Sequence, residues 1–155
     1  MAAELARAGA LVTGVDPSLV ALERARRDHP ELELFAPGAD GRLPLADSRF
    51  DIVSCLHVLE HAADTQTLLS EARRVLAPEG VLAVAVPWHG RIKAAATALT
   101  RFERDHDPLQ PVLRFYTQRS LRLLLEQLGF NVLELKGVGG VPLWRETLLA
   151  RARRG

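Results

Sequence analysis

The sequence predicts an α/β fold whose mostly parallel sheet closes on an antiparallel strand, and three observations point there. Apolar, β-branched runs alternate with segments of helical period along the chain. One run, Val81 to Val86 (VLAVAV), is apolar without a break, as in a strand buried on both faces of a parallel sheet. Another, starting at Ala10 (ALVTGV), ends on Asp16. A carboxylate at the C-terminal tip of such a strand is where nucleotide-binding α/β folds hold ribose hydroxyls.

Taken in order, Ala2 to Ala8 reads as the last turns of a helix stopped by Gly9. After the first strand, Asp16 and Pro17 start a helix with Pro in its first turn and Leu19, Leu22 and Ala25 on one side, ended by Pro30. Glu31 to Phe35 is a short strand, and Ala36 to Arg49, rich in Gly, Pro and Asp, is a loop. Phe50 to Leu56 is a second apolar strand. Asp64 caps a helix whose Leu68, Leu69, Ala72, Val75 and Leu76 recur as one apolar face, and Pro78 to Gly80 turns the chain into VLAVAV. Ile92 to Phe102 reads as a helix and Glu103 to Pro111 as a polar loop. Thr117 caps a further helix with Leu121, Leu124, Leu125 and Leu128 on one face and Gly129 past its end. Phe130 to Lys136 and Glu146 to Ala152 read as closing strands, joined by a loop long enough for an antiparallel return.

Composition narrows the class. With 155 residues, 48% hydrophobic and 25% charged, the chain suits a single domain over residues 1–155 with a sizeable core. The net charge is +1, which gives no broad field for nucleic acid or an anionic membrane and makes a small molecule the simpler partner. Cys55 is the sole cysteine, so no intrachain disulfide or cysteine-based zinc cluster forms, and a reducing cytoplasm fits. No run approaches the roughly 18 apolar residues of a membrane span. Nothing in the sequence speaks to oligomeric state.

Five constellations carry candidate chemistry. Asp16 can accept from both hydroxyls of a ribose diol or cap the next helix, and the strand before it favours the nucleoside. Asp40 and Gly41 lie in the following loop, where a carboxylate can take an adenine amine, although Asp-Gly is also a common turn pair. His57, Glu60 and His61 spell H-x-x-E-H, a zinc pattern when both imidazoles share a helical face. The strand directly before His57 and the cap at Asp64 argue against such a face. Cys55 reads as a small buried hydrophobe, and His89 and His106 as loop histidines able to accept a proton. Trp88, Phe115, Tyr116 and Trp144 read by default as packing aromatics, with a substrate pocket as the other use.

Together LARAGALVTGVDPS (from Leu5), LPLADSRFDIVSCLHVLEH (from Leu43), EARRVLAPEGVLAVAVP (from Glu71) and the weaker RFYTQRSLRLLLEQLGF resemble class I S-adenosylmethionine-dependent methyltransferases, in the group that includes ubiquinone-biosynthesis O-methyltransferases. The resemblance covers essentially the whole chain. It implies a three-layer, Rossmann-like α/β fold with S-adenosyl-L-methionine as cofactor and a small-molecule methyl acceptor, O-methylation first. It also implies ribose contacts from Asp16 with Pro17 and Ser18, adenine contacts from the Asp40–Gly41 loop, and cofactor contacts from Leu56 and His57.

Three departures stand out. The family's opening strand and G-x-G loop would precede Met1. Their loss is expected to leave a marginal fragment, since each buried unmade hydrogen bond costs about 1–3 kcal/mol, and one that binds the cofactor weakly or not at all because the methionine-side loop is missing. An upstream open frame encoding that strand and loop is expected. Glu79 stands where a second Gly is usual, and LQPVLRF replaces a segment that often bears a His, which leaves His89 and His106 as candidate bases. The competing readings are a non-catalytic remnant that binds a partner through an open sheet edge, an NAD-dependent enzyme, and an H-x-x-E-H zinc protein.

Overall fold

The computed structural model describes residues 2–88, 113–140 and 146–155. The chain divides into two compact units, residues 1–46 and 47–155, each taken here by itself. The expected helix over 92–102, the loop bearing His106, His89 and Trp144 lie outside the described residues.

In the first unit, helix α1 (Ala2–Arg7) stops at Gly9, whose φ is 92° and whose N–H donates to the Ala6 carbonyl at 2.9 Å. Strand β1 (Thr13–Val15) is shorter than its apolar run, and Leu11 is fully exposed. β1 pairs in parallel with β2 (Glu33–Phe35), and the Asp16 N–H extends the ladder to the Phe35 carbonyl at 3.2 Å.

Helix α2 (Leu19–Asp28) corrects one expectation, because Pro17 precedes the cap and is not in the first turn. The Asp16 carboxylate accepts the Ser18 N–H at 2.8 Å and turns the chain first; the Ser18 hydroxyl then accepts the Ala21 N–H at 3.2 Å. Two short polar side chains thus divide the work that a single N-cap would do. Leu22 is buried, whereas Leu19 stays exposed.

The second unit is a four-stranded sheet in the order β3, β4, β6, β5. Strand β3 (Phe50–Leu56) runs parallel to β4 (Leu76–Pro87), while β6 (Thr147–Arg154) lies antiparallel between β4 and β5 (Phe130–Val138). Three strands therefore share a direction and the last in sequence opposes them.

Helix α3 (Thr65–Val75) starts as expected, with Asp64 Oδ1 accepting from the Gln66 and Thr67 N–H groups at 2.9 and 3.0 Å. Helix α4 (Gln118–Gln127) opens on a capping box between Thr117 and Ser120 and ends before Gly129 at φ 79°. Their apolar faces, Leu69, Ala72, Leu121 and Leu125, join Leu82, Val84, Val86, Leu148, Ala150, Ala152 and Phe130 in one buried cluster. Such a cluster buries roughly 1.5–3 kcal/mol of transfer free energy per large aliphatic side chain.

Two details differ from the sequence reading. VLAVAV is covered unevenly on its two faces: Leu82, Val84 and Val86 are fully buried, whereas on the other face Ala85 is buried and Val81 and Ala83 are half-buried. Pro78 to Gly80 is not a separate turn either, since β4 begins at Leu76 and these residues absorb a register slip between Phe50 and Ile52. At Gly80 a Cβ would sit 2.8 Å from the Ala77 carbonyl oxygen and 3.2 Å from that of Phe50, so only glycine passes without displacement. Glu79 adopts φ 64°, a left-handed conformation costing about 1–2 kcal/mol for a residue with a Cβ. That conformation is the physical reason glycine suits position 79. No described helix is long and apolar enough to cross a membrane.

Candidate active site

Asp16 and the Leu56–His57 pair fall at strand ends, where open α/β sheets hold ligands, and Asp40 and Gly41 lie in the loop beyond β2. In the first unit Asp16 follows β1 directly, its Oδ1 engaged by Ser18. A carboxylate oxygen accepts more than one hydrogen bond, so the local turn leaves acceptor capacity on both oxygens. Pro17 and Ser18 complete this turn and are exposed.

Asp40 is also tied locally. Its Oδ1 accepts the Arg42 N–H at 3.0 Å, while the Gly38 N–H donates to the Arg42 carbonyl and the Gly41 N–H to that of Gly38. The turn reading of Asp-Gly is thus realised, with Gly41 at φ 80°. This compact loop presents the carboxylate from a fixed backbone.

In the second unit β3 delivers Leu56 and His57 to its carboxyl end. The His57 N–H donates to the Ala85 carbonyl of β4 at 2.8 Å, and the residue takes φ 56°. Among residues with a Cβ, histidine is one that takes this left-handed conformation comparatively often, and here it turns the chain out of the strand. Residues 57–64 form turns and not a helix, so His57 and His61 share no helical face. Among the described residues no group of three His, Cys, Asp or Glu side chains is placed to hold a metal ion.

These turns make something the motif did not announce. The Glu60 side chain is only 2% exposed, with Oε1 3.2 Å from His57 Nδ1 and 4.0 Å from His61 Nε2. Its other oxygen, Oε2, is buried with no hydrogen-bond partner among the described residues. The Glu60 carbonyl accepts the Leu113 N–H at 2.7 Å, and the Arg114 guanidinium donates to the carbonyls of Ala62 and Ala63. This anchoring falls within the LQPVLRF departure. The signal for Glu60 was an acid between two histidines directly after a strand, a place where turns let a side chain fold back under the sheet end.

Cys55 lies in the apolar cluster, and burial pushes its thiol up to about 11. It is a packing residue, not a nucleophile. Tyr116 is buried and its hydroxyl is pushed up by desolvation, while Trp88 packs on the same cluster and bridges to Tyr116. Phe115 is 44% exposed. A depression lined by Arg73, Glu126, Gly129 and Asn131 lies at the start of β5, the opposite end of the parallel strands from His57; the Arg73 guanidinium there donates to the carbonyls of Gly129 and Gly155.

Comparison with known proteins gives the family and the fold. The family described as a methyltransferase domain matches residues 1–84. A demethylmenaquinone methyltransferase of Streptomyces avermitilis is 44% identical over 75 residues, covering 48% of this chain and 32% of that protein. A ubiquinone biosynthesis O-methyltransferase of Coxiella burnetii is 28% identical over 154 residues, covering 95% of this chain and 65% of that protein. The chain thus spans from about a third to just under two thirds of these relatives. Among solved structures, a SAM-dependent methyltransferase from Methanosarcina mazei superposes with a TM-score of 0.73 at 19% identity, over 99% of this chain and 86% of that one. The fold is the Rossmann-like one expected, and because the family match takes in more than half of its residues, the chain belongs to the methyltransferase domain family, in the class I S-adenosylmethionine-dependent group.

Proposed function

We propose that this chain takes part in transferring a methyl group from S-adenosyl-L-methionine to a small-molecule acceptor, by O-methylation. The observation that carries the reading is the match along 95% of the chain to a relative named as an O-methyltransferase. Asp16 supports it, a carboxylate with acceptor capacity remaining at the tip of a parallel strand.

The roles divide by residue. Asp16 accepts from the ribose hydroxyls, with Pro17 and Ser18 shaping the turn that presents it. Asp40 and Gly41 serve the adenine. Leu56 and His57, at the end of β3, are further cofactor contacts in this proposal. The cofactor supplies an electrophilic methyl on sulfonium, and the chain orients nucleophile, carbon and sulfur in line, an effect worth several kcal/mol without covalent catalysis. His89 and His106 remain candidate bases outside the described residues. A cytoplasmic location and the absence of a nucleic-acid partner belong to the same proposal, from the lone reduced cysteine and the balanced charge.

An NMR titration with S-adenosylhomocysteine, which reads millimolar as well as micromolar affinity, tests it. Asp16→Ala should weaken binding about 10- to 100-fold, the range for a charge-assisted hydrogen bond of about 1.5–3 kcal/mol. Asp40→Ala should weaken it less. Equal and negligible effects of both substitutions would sink the ribose assignment.

A further inference from the structure

We propose that the outer edge of β5 is a self-association surface, on which a second copy of this chain pairs antiparallel across a two-fold axis at Leu135. The proposal stands apart from the methyl-transfer reading, since it rests on the sheet of the second unit alone.

In the order β3, β4, β6, β5 the last strand pairs with β6, and among the described residues no strand lies on its other side. Alternate backbone N–H and C=O groups of an edge strand point away from its neighbour, which makes the edge a template for another strand. β5 is nine residues long and carries Leu133 at 44% exposure. A lysine on such an edge normally repels a further strand. Here Lys136 shares a face with Glu134, its Nζ 2.7 Å from Glu134 Oε1, and the hydrogen bond from Lys136 holds the Glu134 carboxyl below the usual carboxylate range. The two side chains are 52% and 40% exposed, and each can take a second partner.

Those two charges select a register. In a pair related by a two-fold axis, residue i faces residue j and j faces i. With the axis at Leu135, Glu134 faces Lys136 of the second copy and Lys136 faces Glu134 of the second copy, so charges of alternating sign line one face. Leu133 then faces Gly137, which has no side chain to crowd it, and Val132 faces Val138. An axis at Glu134 or at Lys136 sets that residue against its own copy, like charge on like. An axis at Leu133 or Gly137 sets both charges against uncharged residues. The slip in the β5–β6 ladder lies between Val132 and Glu134, so the charged pair and Leu135 belong to the regular run beyond it. Pairing here joins two four-stranded sheets into one and leaves β3, at the far edge of each, clear of the contact. A contact of this size makes a weak, transient dimer.

Sedimentation of the full chain from micromolar to millimolar concentration tests the surface, with amide hydrogen exchange as a second reading. The wild type should dimerise toward the upper end, and the amides of residues 132–138 should exchange more slowly as concentration rises. Glu134→Lys sets two cations against each other and Lys136→Glu two anions, so each alone should weaken the dimer about 10-fold or more. The two substitutions together restore opposite charges and should return affinity to within about 3-fold of the wild type. That recovery also shows that the exchanged side chains leave the fold intact. A wild type that stays monomeric throughout overturns the proposal. So does a dimer whose β5 amides exchange alike at every concentration, or one that survives both single substitutions. A double variant as weak as either single one overturns the axis at Leu135.

Discussion

Residues 1–46 and residues 47–155 are held in shape by different physics. In the second unit, fifteen residues from both helices and all four strands form one buried cluster, and its strands pair over long stretches. In the first, the described buried apolar residues are Ala3, Leu22 and Leu45, and the two strands pair over three residues each. What defines the first unit is side chain meeting backbone a few residues away: Asp16 on Ser18, Ser18 on Ala21, Asp40 on Arg42. The contrast teaches where to look for stability and where for recognition. Short polar contacts fix the loops that carry Asp16 and Asp40; a packed cluster fixes the sheet of the second unit.

The sharpest way to break this contrast is to hollow each unit. Phe130→Ala in the second should cost about 3–5 kcal/mol in urea unfolding, and Leu22→Ala in the first about 2 kcal/mol, because fewer packed neighbours surround the lost atoms. Equal losses would show that the first unit has a core as demanding as the second.

Gly80→Ala is the next test, aimed at the backbone crossing where β4 slips past β3. Its Cβ meets two carbonyl oxygens, so a loss of about 2 kcal/mol is expected by thermal unfolding. A neutral result would mean that the bulge relaxes freely. Capping comes third: Thr117→Ala should cost about 1 kcal/mol, and Ser18→Ala about as much locally, read as faster amide exchange in α2 alone. Glu79→Gly works in the other direction. Relief of the φ 64° conformation outweighs the extra freedom of glycine and the exposed Arg153 pair, for a gain of about 0.5 kcal/mol in the same unfolding assay.

The smallest effect depends on pH. The Thr67 hydroxyl, then the Thr67 and Gln66 N–H groups, hold the Asp64 carboxyl below the usual carboxylate range. A group depressed in the folded state contributes stability that is full above its unfolded value and lost as pH falls through its folded value. The difference in Tm between wild type and Asp64→Asn, which caps but does not titrate, should therefore shrink on acidification below about pH 4. A difference independent of pH would show that charge adds nothing to this cap.

How much was legible in the sequence follows from the range of the forces involved. The caps at Asp64 and Thr117, the stop at Gly129 and the bounds of β3 are set by neighbours within a turn or by period, and the chain states them directly. The start of α2 was misplaced because Asp16, Pro17 and Ser18 each suit a helix start, and only geometry separates the turn former from the cap. The half-open outer face of β4 was not legible, since a run of Val, Leu and Ala reads alike whether its second face is covered or bare. For the candidate residues, the strand ends that carry Asp16 and His57 were visible and the local contacts were not. Glu60 became notable only through burial, and burial depends on Leu113 and Arg114, more than 50 residues downstream.

The placement of β6 has a consequence for how the chain is made. β6 is synthesised after both strands that flank it, and its partners in β4 lie some 60 to 70 residues earlier, Val86 opposite Leu148 and Val81 opposite Arg153. A ribosome releasing the chain in order delivers β4 and β5 with a gap between them that nothing yet fills. The sheet of the second unit therefore closes only after translation has passed Thr147, and until then two strand edges wait unpaired, open to other chains emerging nearby.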